Sequence, residues 1–368
     1  MVLTIIIAFF SIIALLIIHE FGHFIMAKRF GIEVKEFGVG LPPRLFGKKI
    51  GGTVYSLNLL PFGAFVKIPS IEGGDEKNNK ENYQKLENIP VWQRALIILA
   101  GVVSFWITGI ILLSIVFSIG TFQAISDEEV GPFINPSKVQ IVAVAPGSPA
   151  EEVGIRAGDT ILEVKSQKSK VKSVNKVIEI QDFIEINKGE EVILTIEREK
   201  EVFEVSLIPR TSSPEGEGAM GVSLVRTAEK SYPIFQAFIK GVETTINLTQ
   251  VIVVGLAEVL LSLIQGKGLP PGVQFMGPIG IGSLVAQAVR VGASYFLNFI
   301  AIISIYFAVF NLLPIPALDG GRLLFLGIEK IKGSPINQKI EGNITAGFFV
   351  LLITLMIWVT IKDIARLF

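Results

Sequence analysis

The chain of 368 residues contains two histidines, His19 and His23, with Glu20 between them in the stretch His19-Glu20-Phe21-Gly22-His23. On a helix, positions four apart stack on one face. Both imidazoles can therefore reach one Zn²⁺ while Glu20 can touch a water on the metal. That is the geometry of a metal hydrolase. Catalytic zinc usually takes three protein ligands and leaves a fourth position to water. With no cysteine and no third histidine in the chain, the missing ligand must be a carboxylate from elsewhere. A bare HExxH also arises by chance, and a histidine on an apolar face is often a hydrogen-bonded core residue. Here, however, the ionisable groups sit in or at the edge of a membrane-length apolar run, where they are expensive and usually functional.

The elements that must position these groups are read from composition and periodicity. Half of the residues are hydrophobic, 18% are charged, the mean hydropathy is +0.59 and the net charge is zero. This implies an integral membrane protein with soluble parts and leaves no electrostatic footprint for nucleic acid. The absence of cysteine excludes disulfides and thiolate metal sites. The first apolar run lacks a charged segment before it and a small-residue cleavage site after it, so it is expected to remain as a transmembrane helix.

Four runs, 2–26, 95–121, 295–313 and 346–361, reach the length needed to span a bilayer. The fold class expected is a polytopic α-helical membrane protein of four transmembrane helices, with a membrane-associated β-hairpin and an inserted α+β domain. A fifth run, 248–264, carries Thr249, Gln250, Glu258 and Ser262, and is expected to be an amphipathic or partly embedded helix. The loop 27–94 carries eleven Lys/Arg, and 320–345 carries four. The positive-inside rule places both in the cytoplasm and both termini outside. Between the first two helices, partial alternation over 51–68 and the Pro61-Phe62-Gly63 turn suggest a hairpin dipping into the bilayer. The polar stretch 70–88 reads as a solvated loop.

Over 138–225 the chain becomes charged, β-branched and punctuated by glycine. Strands are expected at 139–144 and 160–164, a short helix at 148–153, and a hairpin of 192–197 with 201–208. The segments Gly147-Ser148-Pro149-Ala150 and Gly154-Ile155-Arg156-Ala157-Gly158-Asp159 resemble the bacterial PDZ domain, which binds peptides or C-terminal tails by strand addition. The alternative is that the domain acts only as a steric plug. Residues 226–290 are expected to hold the amphipathic helix and, over 266–282, an irregular connector with six glycines and three prolines.

The third spanning region, 295–321, ends in Asn311-Leu312-Leu313-Pro314-Ile315-Pro316-Ala317-Leu318-Asp319-Gly320-Gly321. The prolines break the helical ladder, and Asp319 lies on the same expected side of the membrane as the histidines. It is the obvious oxygen ligand, although a cap at the Gly320-Gly321 turn is an equal alternative.

Taken together, the HEFGH and NLLPIPALDGG stretches, the PFGAFVK hairpin and the intervening domain resemble the site-2 protease family of intramembrane zinc metalloproteases. The branch most resembled is that of the bacterial regulator-of-sigma-E proteases. The likeness spans nearly the whole chain, including Phe37-Gly38-Val39-Gly40, Trp92-Gln93-Arg94-Ala95 and Gly277-Pro278-Ile279. It implies that His19, His23 and Asp319 hold one Zn²⁺ and that Glu20 is the catalytic base. It further implies that Asn311 and Pro314 help hold an unwound substrate, and that the hairpin near Gly63 and Phe65 pairs with it. The substrates implied are single-span membrane proteins already cut by another protease, such as anti-sigma factors or remnant signal peptides, with the PDZ domain as filter. The location implied is a bacterial inner membrane, a plastid membrane being the alternative, with the PDZ domain outside and the active site toward the cytoplasm. The chain departs from the family pattern at Ala100-Gly101-Val102-Val103-Ser104-Phe105, where a Gly-Pro and an Asn are usual, and at Arg322, where His is frequent. The competing readings are an inactive scaffold that captures peptides and a metal transporter. The first would lack one of the four active-site residues, and the second has no need of Glu20 and would show repeated halves.

Overall fold

The computed structural model describes residues 2–69, 89–131, 133–166, 171–198, 201–214, 216–270, 273, 276–334 and 336–365. The loop expected over 70–88 lies outside them. The chain divides into two compact units, one of residues 1–116 with 234–368 and the other of residues 117–233.

The first unit begins with α1 (Val2–Arg29), whose last turn carries Lys28 and Arg29 against the carbonyl end of the helix dipole. Gly31, at φ +68°, lets the chain turn back so that the Ile32 N–H reaches the Ala27 carbonyl. Strands β1 (Glu36–Ile50) and β2 (Thr53–Lys67) follow. Their turn is Gly51-Gly52, both at positive φ, as a tight hairpin turn requires. This corrects the expected turn at 61–63, which lies inside β2. Each strand bends on itself, so Glu36 to Val39 is matched with Val54 to Leu57 on one side and with Lys67 to Ala64 on the other. The result is a curled sheet whose alternation is inverted. Thr53, Ser56 and Asn58 are buried, while Tyr55, Leu57 and Leu59 are exposed. Polar side chains in and apolar ones out is the sign found in membrane-embedded strands, the reverse of a soluble sheet.

Helix α2 (Val91–Ile119) then runs to the second unit, whose elements are β3 (Thr121–Ile125), β4 (Lys138–Val144), α3 (Pro149–Glu152), β5 (Thr160–Ser166), β6 (Lys172–Ser173), α4 (Val177–Ile186), β7 (Val192–Arg198), β8 (Glu201–Leu207) and β9 (Val222–Lys230). The sheet order is β3-β9-β4-β5-β7-β8, with β6 on β5. The strands and short helix expected over 139–208 are present, with Ser148 capping α3 and Pro149 opening it. The unit starts earlier than residue 138, because β3 pairs with β9. Helix α4 closes the core: Ile180, Phe183 and Ile184 cluster with Ile141, Ile161, Leu194 and Ile196.

The first unit resumes with α5 (Ile234–Ile264), α6 (Pro278–Val291), α7 (Ala293–Leu312), α8 (Asp319–Lys332) and α9 (Gln338–Ala365). The fifth apolar run is thus the second half of a 31-residue helix. Among the described residues five helices are long and apolar enough to cross a membrane: α1, α2, α5, α7 and α9. Helices α1, α2, α6 and α7 share a core of Leu15, Phe105, Val285 and Ile300. The α6 helix was expected only as connector. Its capping residue Gly277 has no side chain, and Asp363 of α9 instead accepts the Gly277 and Gly280 N–H groups, each at 2.8 Å.

In the second unit Asp159 is buried and accepts from Arg198 Nε at 2.6 Å, Arg198 Nη2 at 2.7 Å and the Arg156 N–H at 2.8 Å. Burial pushes its carboxyl up, but these bonds outweigh burial and hold it below the ordinary carboxylate range. Ionised Asp159 therefore stabilises the fold above the unfolded-state pKa, and that contribution disappears as pH falls through the lower folded-state value. Asp159→Asn should reduce hydrogen-exchange protection of the β5 and β7 amides by about 3 kcal/mol at neutral pH. Its deficit relative to wild type should shrink progressively below about pH 4.

Candidate metal centre

One turn separates His19 from His23 on α1, and their rings meet edge to face with centroids 4.6 Å apart. Each ring is held by α2. The Nδ1–H of His23 donates to the Ile97 carbonyl at 2.8 Å, which leaves the Nε2 lone pair free. His19 stacks on Phe105 at 4.6 Å and 13°. A Cβ on Gly101 would lie 2.3 Å from His23 Nε2 and 2.8 Å from His19 Cε1, and one on Gly22 would lie 2.4 Å from the Ala100 carbonyl oxygen. Helices α1 and α2 therefore meet through glycines, the usual means of close approach between membrane helices.

The carboxylate arrives from a different part of the chain. After α7 the Leu313–Leu318 stretch bends, and α8 begins at Asp319. A Cβ at Gly320 would lie 2.2 Å from the Leu313 oxygen, and one at Gly321 would lie 2.2 Å from the Ile315 oxygen. The two glycines let α8 start directly against the bend. Asp319 is thus the first residue of α8 and not its cap, and its Oδ2 lies 3.3 Å from both His19 Nε2 and His23 Nε2. The two Nε2 atoms are 3.2 Å apart. All three residues are buried, at 7%, 7% and 8% exposure.

Three ligand atoms on a tetrahedral zinc, each about 2.0–2.1 Å from the ion, are about 3.3–3.4 Å from one another. The triangle here matches that edge length. Asp319 Oδ2 is also a buried oxygen with no hydrogen-bond donor. Two lone pairs and a carboxylate converging in a buried space are repulsive unless a cation sits among them. The residues fit one zinc ion, with the fourth position open to a cavity of about 280 Å³.

Glu20 and Asn311 line that cavity, as does Phe65 of β2. The Asn311 side chain donates to the Phe307 carbonyl at 2.9 Å. Gly63 and Pro314, also singled out in the sequence, do not line it. Gly63 is buried at φ +89°, with Leu16 at van der Waals distance from where its Cβ would be, and Pro314 is exposed in the bend. The sequence reading missed the Ile97 carbonyl, Gly101, Phe105 and the cavity-lining Arg322 as parts of the site. A glycine within an otherwise apolar helix was the one available signal for Gly101.

Comparison with known proteins agrees with this geometry. Residues 7–355 match the profile of Peptidase family M50. A Clostridium perfringens chain carrying a provisional zinc-metalloprotease name is 34% identical over 366 residues, covering 98% of each chain. The regulator of sigma-W protease RasP of Bacillus subtilis is 27% identical over 441 residues, covering 99% of each. The zinc metalloprotease RasP of Oceanobacillus iheyensis is 27% identical over 451 residues, covering both chains entirely.

Gly101→Ala changes no ligand and no charge, yet its methyl would occupy the space of the His23 ring. Chelator competition on the purified protein should show zinc affinity lowered about 10–100-fold, the range found when groups supporting metal ligands are disturbed. Asp319→Ala should retain less zinc still.

Proposed function

The chain belongs to peptidase family M50 and is a multi-pass membrane zinc metalloprotease, and from that premise we propose that it hydrolyses peptide bonds within transmembrane segments of single-span proteins. The observation that carries this reading is the zinc-sized triangle of His19, His23 and Asp319 opening on the cavity that Glu20 lines. Zinc held there would lower the pKa of a coordinated water and polarise the scissile carbonyl. Glu20 takes the proton of the attacking water and delivers it to the departing amine.

A helical substrate hides its carbonyls in its own hydrogen bonds and must unwind to be cut. In this reading the outer segment of β2, from Gly63 to Lys67, receives the unwound chain as an added strand, supported by its pairing to Glu36–Val39 on one side. Phe65 contacts the strand, and Asn311 at the end of α7 and Pro314 of the bend hold its other side. Relatives named as RasP, one of them a regulator of sigma-W protease, support regulated cleavage of membrane-anchored regulators. Anti-sigma factors fit this class, as do remnant signal peptides.

The unit of residues 117–233 serves as a PDZ domain on the outer side and admits substrates already shortened by another protease. Placing Asp319 beside the histidines requires α1 and α7 to end on the same, cytoplasmic, side. Helix α5 is therefore a full span only if residues 265–292 return the chain to the outside, and otherwise four helices cross.

Glu20→Gln should keep about one zinc per chain while cleavage of a tagged single-span substrate falls at least about 10³-fold, since the variant retains the ligands and lacks the base. Cutting by Glu20→Gln at the wild-type rate would sink the proposed mechanism. Deleting residues 117–233 should erase the preference for truncated over intact substrate; a preference that survives the deletion would remove the filter.

A further inference from the structure

Arg94 and Glu329 lie outside the metal cavity and take no part in the chemistry above, yet they form an ion pair inside the first unit whose guanidinium is buried and whose carboxylate is largely so. Arg94, in the first turn of α2, is 5% exposed. Its Nη1 donates to Glu329 Oε2 at 3.0 Å and its Nη2 to Glu329 Oε1, a two-pronged contact. The Arg94 Nε is buried and has no hydrogen-bond partner, so among the described residues the side-chain hydrogen bonds of the guanidinium go to Glu329, with Glu341 of α9 within electrostatic reach of the pair. Burying such a pair costs as much desolvation as its attraction returns, which makes a contribution to stability a poor explanation and geometric specification a better one.

What the pair specifies follows from where its partners sit. Glu329 is ten residues beyond Asp319 on α8. Beyond Leu326, every residue of α8 is exposed except Glu329. The N-terminal end of the helix is held by Gly320 and Gly321 against the bend and its middle by the buried Phe325 and Leu326, which leaves the bond from Arg94 as the hold on its distal end among the described residues. Arg94 stands one turn before Ile97, whose carbonyl orients His23, and two turns before Gly101, against which both imidazoles pack. The pair thus joins the helix that supplies the carboxylate ligand to the helix that sets the histidines. A ligand atom stands about 5–6 Å from its helix axis, so a rotation of α8 by about 10° would move Asp319 Oδ2 by about 1 Å. Metal ligands tolerate about 0.2 Å.

We propose that Arg94 and Glu329 are positioning residues for zinc: their ion pair fixes the axial rotation of α8 relative to α2 and so places Asp319 within ligand distance of His19 and His23. This rests on the metal-site reading above. A carboxylate at 329 and a guanidinium at 94 set a rotation that apolar side chains of similar volume would leave free, and lysine at 94 would keep the charge without the fork.

The test uses the full-length protein in detergent. Zinc affinity is read by chelator competition, and the unfolding midpoint is read on the metal-free form, for wild type, Arg94→Lys and the double variant Arg94→Met/Glu329→Leu. The expected result is a metal-free midpoint within a few degrees of wild type or above it for the double variant, with zinc affinity lowered about 10–100-fold. Arg94→Lys should fall between. Affinity within about twofold of wild type in the double variant would overturn the proposal while leaving the metal site intact. A metal-free midpoint that drops in step with affinity would also overturn it, because the pair would then be holding the fold. Wild-type protein that binds no zinc would overturn the metal-site reading and this proposal together.

Discussion

Everything in the first unit depends on bringing two imidazole nitrogens and one carboxylate oxygen to within 3.3 Å of each other in a buried space. Such a triad is unfavourable by itself once its members present lone pairs to one another in a largely buried space. The surroundings must hold them there until a cation compensates. They do so by removing side chains as much as by adding them. Glycines at 22 and 101 let α1 and α2 touch, and glycines at 320 and 321 let α8 begin against the backbone of the preceding bend. A methyl group at 22, 101, 320 or 321 would collide with a backbone oxygen or an imidazole. Close packing here is a requirement of the site and not a by-product of the fold.

The curled sheet answers a second constraint, that of placing extended backbone beside membrane helices. Unpaired peptide groups are costly in hydrocarbon, and β1 and β2 bend so that Glu36 to Val39 is paired on both sides. Inside the curl, Ser56 donates to Glu36 at 2.7 Å, and Asn58 donates to the Val39 and Gly40 carbonyls, each at 3.2 Å. The side chains that would normally face water are used to satisfy the interior, while Leu41, Phe46, Leu57 and Leu59 face outward. Phe65, on the same strand, lines the metal cavity.

The second unit is organised by ordinary soluble chemistry. Its core is a seven-stranded sheet covered by α4, and its buried charges Asp159 and Arg226 are each hydrogen-bonded to several partners. Asp159 is matched by Arg198, and Arg226 donates to the carbonyls of Ser126, Asp127, Glu129 and Asn175, tying the segment after β3 to β9. The contrast with the first unit lies in what surrounds each polar group. Here a charge has several partners, whereas around the metal it has been left for an ion.

What could be read from the sequence was whatever depends on local spacing. The i, i+4 placement of His19 and His23, the length of the apolar runs, the strands over 139–208 and the short helix near 148–153 each arise from interactions within a few residues, so the chain alone determined them. Asp319 was legible as a candidate because prolines and glycines around it broke a helix, but its choice between cap and ligand was not, since the two roles differ only in which distant atoms it meets. The hairpin turn was misplaced at residues 61–63 because a Pro-Phe-Gly turn and a bend inside a curled strand share the same local chemistry, and the pairing of Glu36 on two sides decided between them. Helix α6 was missed because the cap of its Gly277 end comes from Asp363, 86 residues away. Tertiary structure alone supplied the Ile97 carbonyl behind His23, the space left by Gly101 and the bond between Arg94 and Glu329, which are 235 residues apart. These are contacts between helices, and no periodicity within one helix reports the identity of the residue it will face.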